Sequence, residues 1–71
     1  MPKAEKEFVA HAIAPTLRRL KAPSDLDDFL SFASLHGADR LLFPGRLAKV
    51  LRGEPPPSYI VALLMAWQHK P

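Results

Sequence analysis

Basic side chains are concentrated between positions 40 and 52 of the chain. This segment holds four basic residues and no acidic one: Arg40, Arg46, Lys49 and Arg52. If the segment is helical, the last three share one side, whereas Leu47, Val50 and Leu51 share the opposite side. A helix with such a basic face can enter the major groove of DNA, where arginine pairs with guanine and lysine neutralises phosphate. A solvated surface face is the alternative interpretation of the same charges.

A second basic cluster lies near position 20, at Arg18, Arg19 and Lys21. It could flank a duplex that the first segment contacts. Three or four phosphate contacts give weak, salt-sensitive binding, so tight binding would require a homodimer or bent DNA. The candidate nucleic-acid-binding residues are therefore Arg46, Lys49, Arg52, Arg40, Arg18 and Arg19.

Side chains that could support catalysis or hold a metal do not form a cluster in the sequence. The histidines at positions 11, 36 and 69 are isolated, and the chain has no cysteine. The acids at positions 25, 27 and 28 are typical of a helix start, where the exposed amides favour negative charge. No glycine-rich phosphate loop and no GxSxG sequence occurs. We therefore expect no enzyme, no catalytic residue, no metal, no cofactor and no small-molecule substrate.

Length and composition point to one small domain. The chain has 71 residues, 48% of them hydrophobic, and a formal net charge of +3. This length allows a single domain over residues 1–71 with one modest core. The longest apolar run is about half of the roughly 20 residues that span a bilayer, and the charged N-terminus is unlike a signal peptide. We expect a soluble, cytoplasmic protein without membrane contact.

The placement of prolines, glycines and apolar residues predicts an all-α bundle of four to five short helices. The first covers residues 4–20, and Pro15 either kinks it or splits it in two. The second covers residues 24–36, with Ser24 as N-cap and Gly37 as its left-handed stop. A short helix follows Pro44 and ends at Gly53, and three prolines form a stiff spacer. Ser58 is the predicted cap of the last helix.

The connection between the second and third helices is predicted to be one irregular turn over residues 38–43. We expect this turn to direct Leu41, Leu42 and Phe43 inward. The apolar positions that repeat at helical spacing predict the core. Its expected members are Leu26, Phe29, Leu30, Ala33, Leu47, Val50, Leu51, Ile60, Leu63, Leu64 and Trp67.

The segment from Leu26 to Trp67 resembles the helix-turn-helix domain of phage repressors of the Cro and C1 type. The similarity lies in Gly37 after the second helix, in Leu51-Arg52-Gly53 at the end of the third, and in the Pro57-Ser58 entry to the fourth. The linker over residues 37–44 is about four residues longer than in a compact motif. The resemblance implies a transcriptional regulator that contacts bases of double-stranded DNA through Arg46, Lys49 and Arg52.

The alternative function is regulation through a protein partner, such as RNA polymerase or another regulatory protein. Small basic proteins of this kind include phage-encoded polymerase inhibitors. Phe32 lies off the apolar stripe of the second helix and Phe43 lies in the linker, so either could be an exposed anchor for a partner. The competing interpretation is that another helix covers both rings.

Overall fold

The described part of the chain, residues 3–71, folds into four α-helices joined by short connections. The computed structural model describes residues 3–71 and contains α1 (Lys3–Arg19), α2 (Pro23–Leu35), α3 (Phe43–Leu51) and α4 (Ser58–Gln68). The predicted all-α bundle is therefore confirmed. Met1 and Pro2, the first residues of the predicted domain, lie outside the described residues. Within residues 3–71, each helix is too short or too polar to cross a membrane.

Helix α1 continues through Pro15, so of the two predicted alternatives, a kink or a split, the split does not occur. Proline removes one backbone hydrogen bond from a helix interior, which costs about 3 kcal/mol. Packing on both sides of the proline offsets this cost. Ile13 and Thr16 are buried within the helix, and Leu20 is buried in the turn that follows. The Thr16 hydroxyl also donates a hydrogen bond to the Gln68 side chain in α4.

The two serines predicted as N-caps do not cap their helices. Helix α2 begins at Pro23 with Ala22 as N-cap, and α4 begins at Ser58 with Pro57 as N-cap. Neither cap residue makes a side-chain hydrogen bond. Proline at the first helical position has its backbone angle already set and has no N–H that needs an acceptor. At α2 this preference moves the helix start one residue ahead of Ser24.

The helix ends at Gly37 and Gly53 are as predicted. Both glycines have positive φ angles, of 91° and 111°. The amide of Ala38 donates to the carbonyl of Ala33 and that of Gly37 donates to Ser34, at 2.9 and 3.2 Å. This pair of hydrogen bonds is a Schellman motif, which glycine favours because it lacks a Cβ atom. The same pair of bonds occurs at Gly53 and Glu54.

The core is centred on Phe29, whose ring contacts the rings of Trp67 and Phe43 at centroid distances of 5.4 and 6.0 Å. Four predicted members, Leu26, Leu30, Leu51 and Leu63, are only partly buried at its edge. Two residues that the prediction omitted, Ile13 and Leu20, are fully inside, and Phe43 is buried as predicted for the turn. The omission has a physical cause, because α1 packs on α4 and so carries part of the core that its proline-interrupted sequence obscured.

The acidic residues at the start of α2 also make contacts with other helices, in addition to their favourable interaction with the helix dipole. The Asp25 carboxylate pairs with Arg19 at 3.0 Å. The Asp28 carboxylate accepts hydrogen bonds from the Trp67 indole at 2.8 Å and from Lys70 at 2.9 Å. Both donors to Asp28 hold its pKa below the usual range. These contacts tie α1, α2 and the end of α4 together, which the capping interpretation did not predict.

Candidate nucleic-acid interface

Helix α3 is held in place by one apolar face. Leu47 and Val50 are buried on that face. Phe43, the first residue of the helix, lies between Phe29 of α2 and Tyr59 of α4, with ring centroids at 6.0 and 6.4 Å. The spacing of Phe43, Leu47 and Val50 is that of a single helical stripe. The orientation of α3 about its own axis is therefore fixed by burial.

The basic residues of α3 lie on the side that this burial leaves outside. Arg46, Lys49 and the C-cap residue Arg52 are all exposed. Within residues 3–71 none of the three forms an ion pair, since the ion pairs of this range join Arg19 to Asp25 and Lys70 to Asp28. Their charges are therefore available to a ligand.

Arg40 is also exposed but is partly committed to the protein itself. Its Nε atom donates a hydrogen bond to the Ser34 hydroxyl at 3.0 Å. This bond holds the linker against the end of α2. The remaining nitrogens of the guanidinium group can still reach a phosphate, since an arginine carries five N–H donors.

The two candidate arginines of α1 lie away from the basic face of α3. The Arg19 guanidinium pairs with Asp25 and lies 4.3 Å from the centre of the Trp67 ring, near the end of α4. Arg46, in contrast, lines two surface depressions together with residues between Pro57 and Ala66, and neither depression includes Arg18 or Arg19. Arg18 is exposed next to Arg19 in sequence, so we group its charge with that of Arg19 and not with the basic face of α3.

The two aromatic residues predicted as protein anchors do not form an exposed pair. Phe43 is only 3% exposed and belongs to the core, so its predicted inward position is confirmed and the alternative of an exposed anchor is wrong. Phe32 is half-buried, and its ring stacks on His36 with centroids 4.2 Å apart. The rings that cover Phe43 are those of Phe29 in α2 and Tyr59 in α4, which lie far from Phe43 along the chain.

The linker instead exposes the two leucines that were predicted to point inward. Leu41 is 91% exposed and Leu42 is 59% exposed. The Asp39 carboxylate accepts hydrogen bonds from the backbone amides of Leu41 and Leu42, at 2.8 and 2.9 Å. Those bonds, the one from Leu42 first, lower the pKa of Asp39. The amide of Phe43 donates to the Asp39 backbone carbonyl at 2.9 Å, so a helical turn already precedes α3.

Sequence reasoning missed Asp39, although a signal was present. Aspartate is a preferred residue ahead of a helix because its carboxylate accepts amide hydrogen bonds there. With the turn starting at Asp39, successive side chains point about 100° apart, and only one of Leu41, Leu42 and Phe43 can face the core. Phe43 lies four residues before the buried Leu47 and so on the same side of the helix, which makes it the one of the three that faces the core.

Comparison of the chain with protein-family models, with curated proteins and with solved structures gives no match. The resemblance to phage-repressor domains stays a prediction.

Proposed function

We propose that this protein is a transcriptional regulator that binds double-stranded DNA through α3. The observation that supports this function is the two-sided construction of α3. One side packs Leu47 and Val50 into the core, and the other presents Arg46, Lys49 and Arg52 without an ion-pair partner among residues 3–71. Burial of the apolar side fixes the orientation of α3, so Arg46, Lys49 and Arg52 face solvent on the same side of the helix.

The dimensions of α3 suit the major groove of DNA. A helix of nine residues is about 13 Å long. The diameter of a helix with its side chains is about 10–12 Å and the groove is about 12 Å wide, so α3 fits as a unit. Arginine at position 46 could pair with the O6 and N7 atoms of guanine, whereas lysine at position 49 supplies a point charge for phosphate.

The small number of cations limits the expected affinity. Each neutralised phosphate contributes about −0.9 to the slope of log K against log salt concentration. Three contacts from α3 would therefore give a slope of about −3 and a non-specific Kd of about 10⁻⁴ to 10⁻⁶ M. Two copies on one duplex would double the number of contacts, and engagement of Arg18 and Arg40 would add two contacts.

The first test is an NMR titration of the ¹⁵N-labelled chain with a random-sequence duplex at low and moderate salt. We expect shifts at the amides of residues 45–53 that weaken as salt rises. A titration with no shifts at low salt would rule out DNA as the ligand. Shifts confined to Arg18 and Arg19 would rule out α3 as the contact surface.

Single variants separate base contacts from phosphate contacts. Once a preferred sequence has been selected, Arg46→Ala should weaken its binding by about 1–3 kcal/mol and reduce the preference. Lys49→Ala should weaken all duplexes alike and reduce the salt slope by about 1. Lys6→Ala removes the same charge from an exposed position on α1 and is the matched control. Equal losses for all sequences with Arg46→Ala would contradict base contact by Arg46.

A further inference from the structure

Gly45 is an exposed glycine inside a helix. It is the third residue of α3. Gly37 and Gly53 end their helices with positive φ angles, whereas the φ angle of Gly45 is not positive. Glycine lowers the stability of a helix relative to alanine, because its backbone loses more conformational freedom on folding. The backbone conformation at position 45 therefore gives no reason for a glycine.

Packing within the chain gives no reason for this glycine either. A Cβ atom added at Gly45 meets no atom of the described residues within 4 Å. An alanine would therefore fit at this position without any movement of the fold. Glycine is also the residue that allows a ligand to approach the backbone closely. The contact that explains Gly45 is therefore one with another molecule.

Gly45 lies on the side of α3 that faces away from the core. Successive residues of a helix are about 100° apart around its axis. Gly45 is therefore about 140–160° from the three buried positions of the helix, which are Phe43, Leu47 and Val50. Lys49 and Arg52 lie about 40° and 20° from Gly45, one on each side of it. The position without a side chain is thus nearly central on the outward face.

The charges around Gly45 are mainly positive. Gly45 lines a surface depression of about 460 Å³ together with Arg46 and Lys49. Arg46 is its neighbour in sequence, and Lys49 is one helical turn away. The one carboxylate that lines the same depression is that of Glu54, which follows the C-terminal end of α3. An anionic ligand is therefore favoured at the end of α3 that contains Gly45.

We propose that the missing side chain at Gly45 lets α3 approach the base edges of DNA closely. This inference rests on the proposed DNA binding by α3. Base edges form the floor of the major groove, which is about 8.5 Å deep. The Cα atoms of a helix lie about 2.3 Å from its axis and side chains extend to about 5–6 Å, so the axis can lie up to about 3 Å closer to the floor. Gly45 is then a positioning residue for Arg46.

The test compares Gly45→Ala and Gly45→Leu with the natural chain, because both replacements favour a helix. Affinity is measured by fluorescence anisotropy with the preferred duplex and with a random-sequence duplex. Gly45→Ala should raise the urea midpoint of unfolding and yet weaken binding of the preferred duplex about threefold. Gly45→Leu should weaken it about tenfold or more, as extra methylenes do in a packed contact. The random duplex should lose less, since phosphate contacts lie at the rim of the groove.

A control variant separates the position from the change in size. Ala10→Leu adds a large apolar side chain at an exposed position of α1, and we expect it to leave both affinities unchanged. Unchanged affinity of Gly45→Leu, equal losses for the two duplexes, or an equal loss with Ala10→Leu would overturn the inference. A lower urea midpoint for Gly45→Ala would also overturn it, because the fold itself would then require the glycine.

Failure of this inference differs from failure of the proposed function. If the natural chain binds the duplex and Gly45→Leu binds it equally well, α3 remains the contact surface and only the role of Gly45 is overturned. If the natural chain binds no duplex at low salt, DNA binding and the role of Gly45 are overturned together.

Discussion

Replacement of Phe43 by alanine tests whether its ring is part of the core. Phe43 is 3% exposed and contacts the rings of Phe29 and Tyr59. Burial of about 150 Å² of aromatic surface, at about 25 cal/mol per Å², corresponds to ~4 kcal/mol. Measured losses for phenylalanine-to-alanine changes in cores are about 3–5 kcal/mol. A domain of this length has only about 4–10 kcal/mol of total stability, so Phe43→Ala should be partly unfolded at 25 °C.

The measurement is urea denaturation followed by circular dichroism. Leu41→Ala and Leu42→Ala are controls from the same turn, and we expect each to change the free energy of unfolding by less than about 0.5 kcal/mol because both side chains are exposed. Phe43→Leu should recover most of the loss, since it refills most of the space. A change below about 1 kcal/mol for Phe43→Ala would refute the burial of its ring.

Three other predictions concern the helix ends and the polar contacts. Gly45→Ala should raise the free energy of unfolding by up to about 1 kcal/mol in urea melts, because Gly45 lies in α3 with open space around it. Gly37→Ala should lower it by about 1 kcal/mol in the same assay, because φ is +91° there. Asp28→Asn should lower Tm at neutral pH. Since Lys70 and Trp67 lower the folded-state pKa of Asp28, its stabilisation is present above about pH 4 and is lost below it. The Tm difference from the natural chain should therefore shrink as pH falls below about 4.

The parts of this fold that the sequence predicted are those that local geometry decides. The glycine stops at Gly37 and Gly53 depend only on the need for a positive φ angle. The division of α3 into a basic and an apolar side depends only on helical spacing. The sequence could not predict contacts between distant positions, such as the hydrogen bond from Trp67 to Asp28 across 39 positions. An inward Phe43 was predicted, but the rings that cover it, Phe29 of α2 and Tyr59 of α4, belong to this second kind.

Competition between two local signals also explains the errors at the helix starts. Ser24 and Ser58 have good capping side chains, but each follows a proline. Proline adopts the extended or first-turn angles without further cost in chain entropy. At α2 the proline itself enters the helix, and at α4 it takes the N-cap position. A capping serine next to a proline is therefore an ambiguous signal for the first residue of a helix.

The linker that lengthens the helix-turn-helix pattern is an ordered part of the structure. Its first half is the Schellman motif at Gly37, and its second half is the turn fixed by Asp39. Arg40 holds it to Ser34. The backbone of this connection is therefore specified by hydrogen bonds at each end, and those bonds direct Leu41 and Leu42 into solvent. Asp39→Ala removes the acceptor of both amide hydrogen bonds, so we expect it to lower the urea concentration at the midpoint of unfolding. Leu41→Ala, a change at an exposed side chain of the same turn, should leave that midpoint nearly unchanged. Equal midpoints for the two variants would contradict the view that the Asp39 carboxylate fixes this turn.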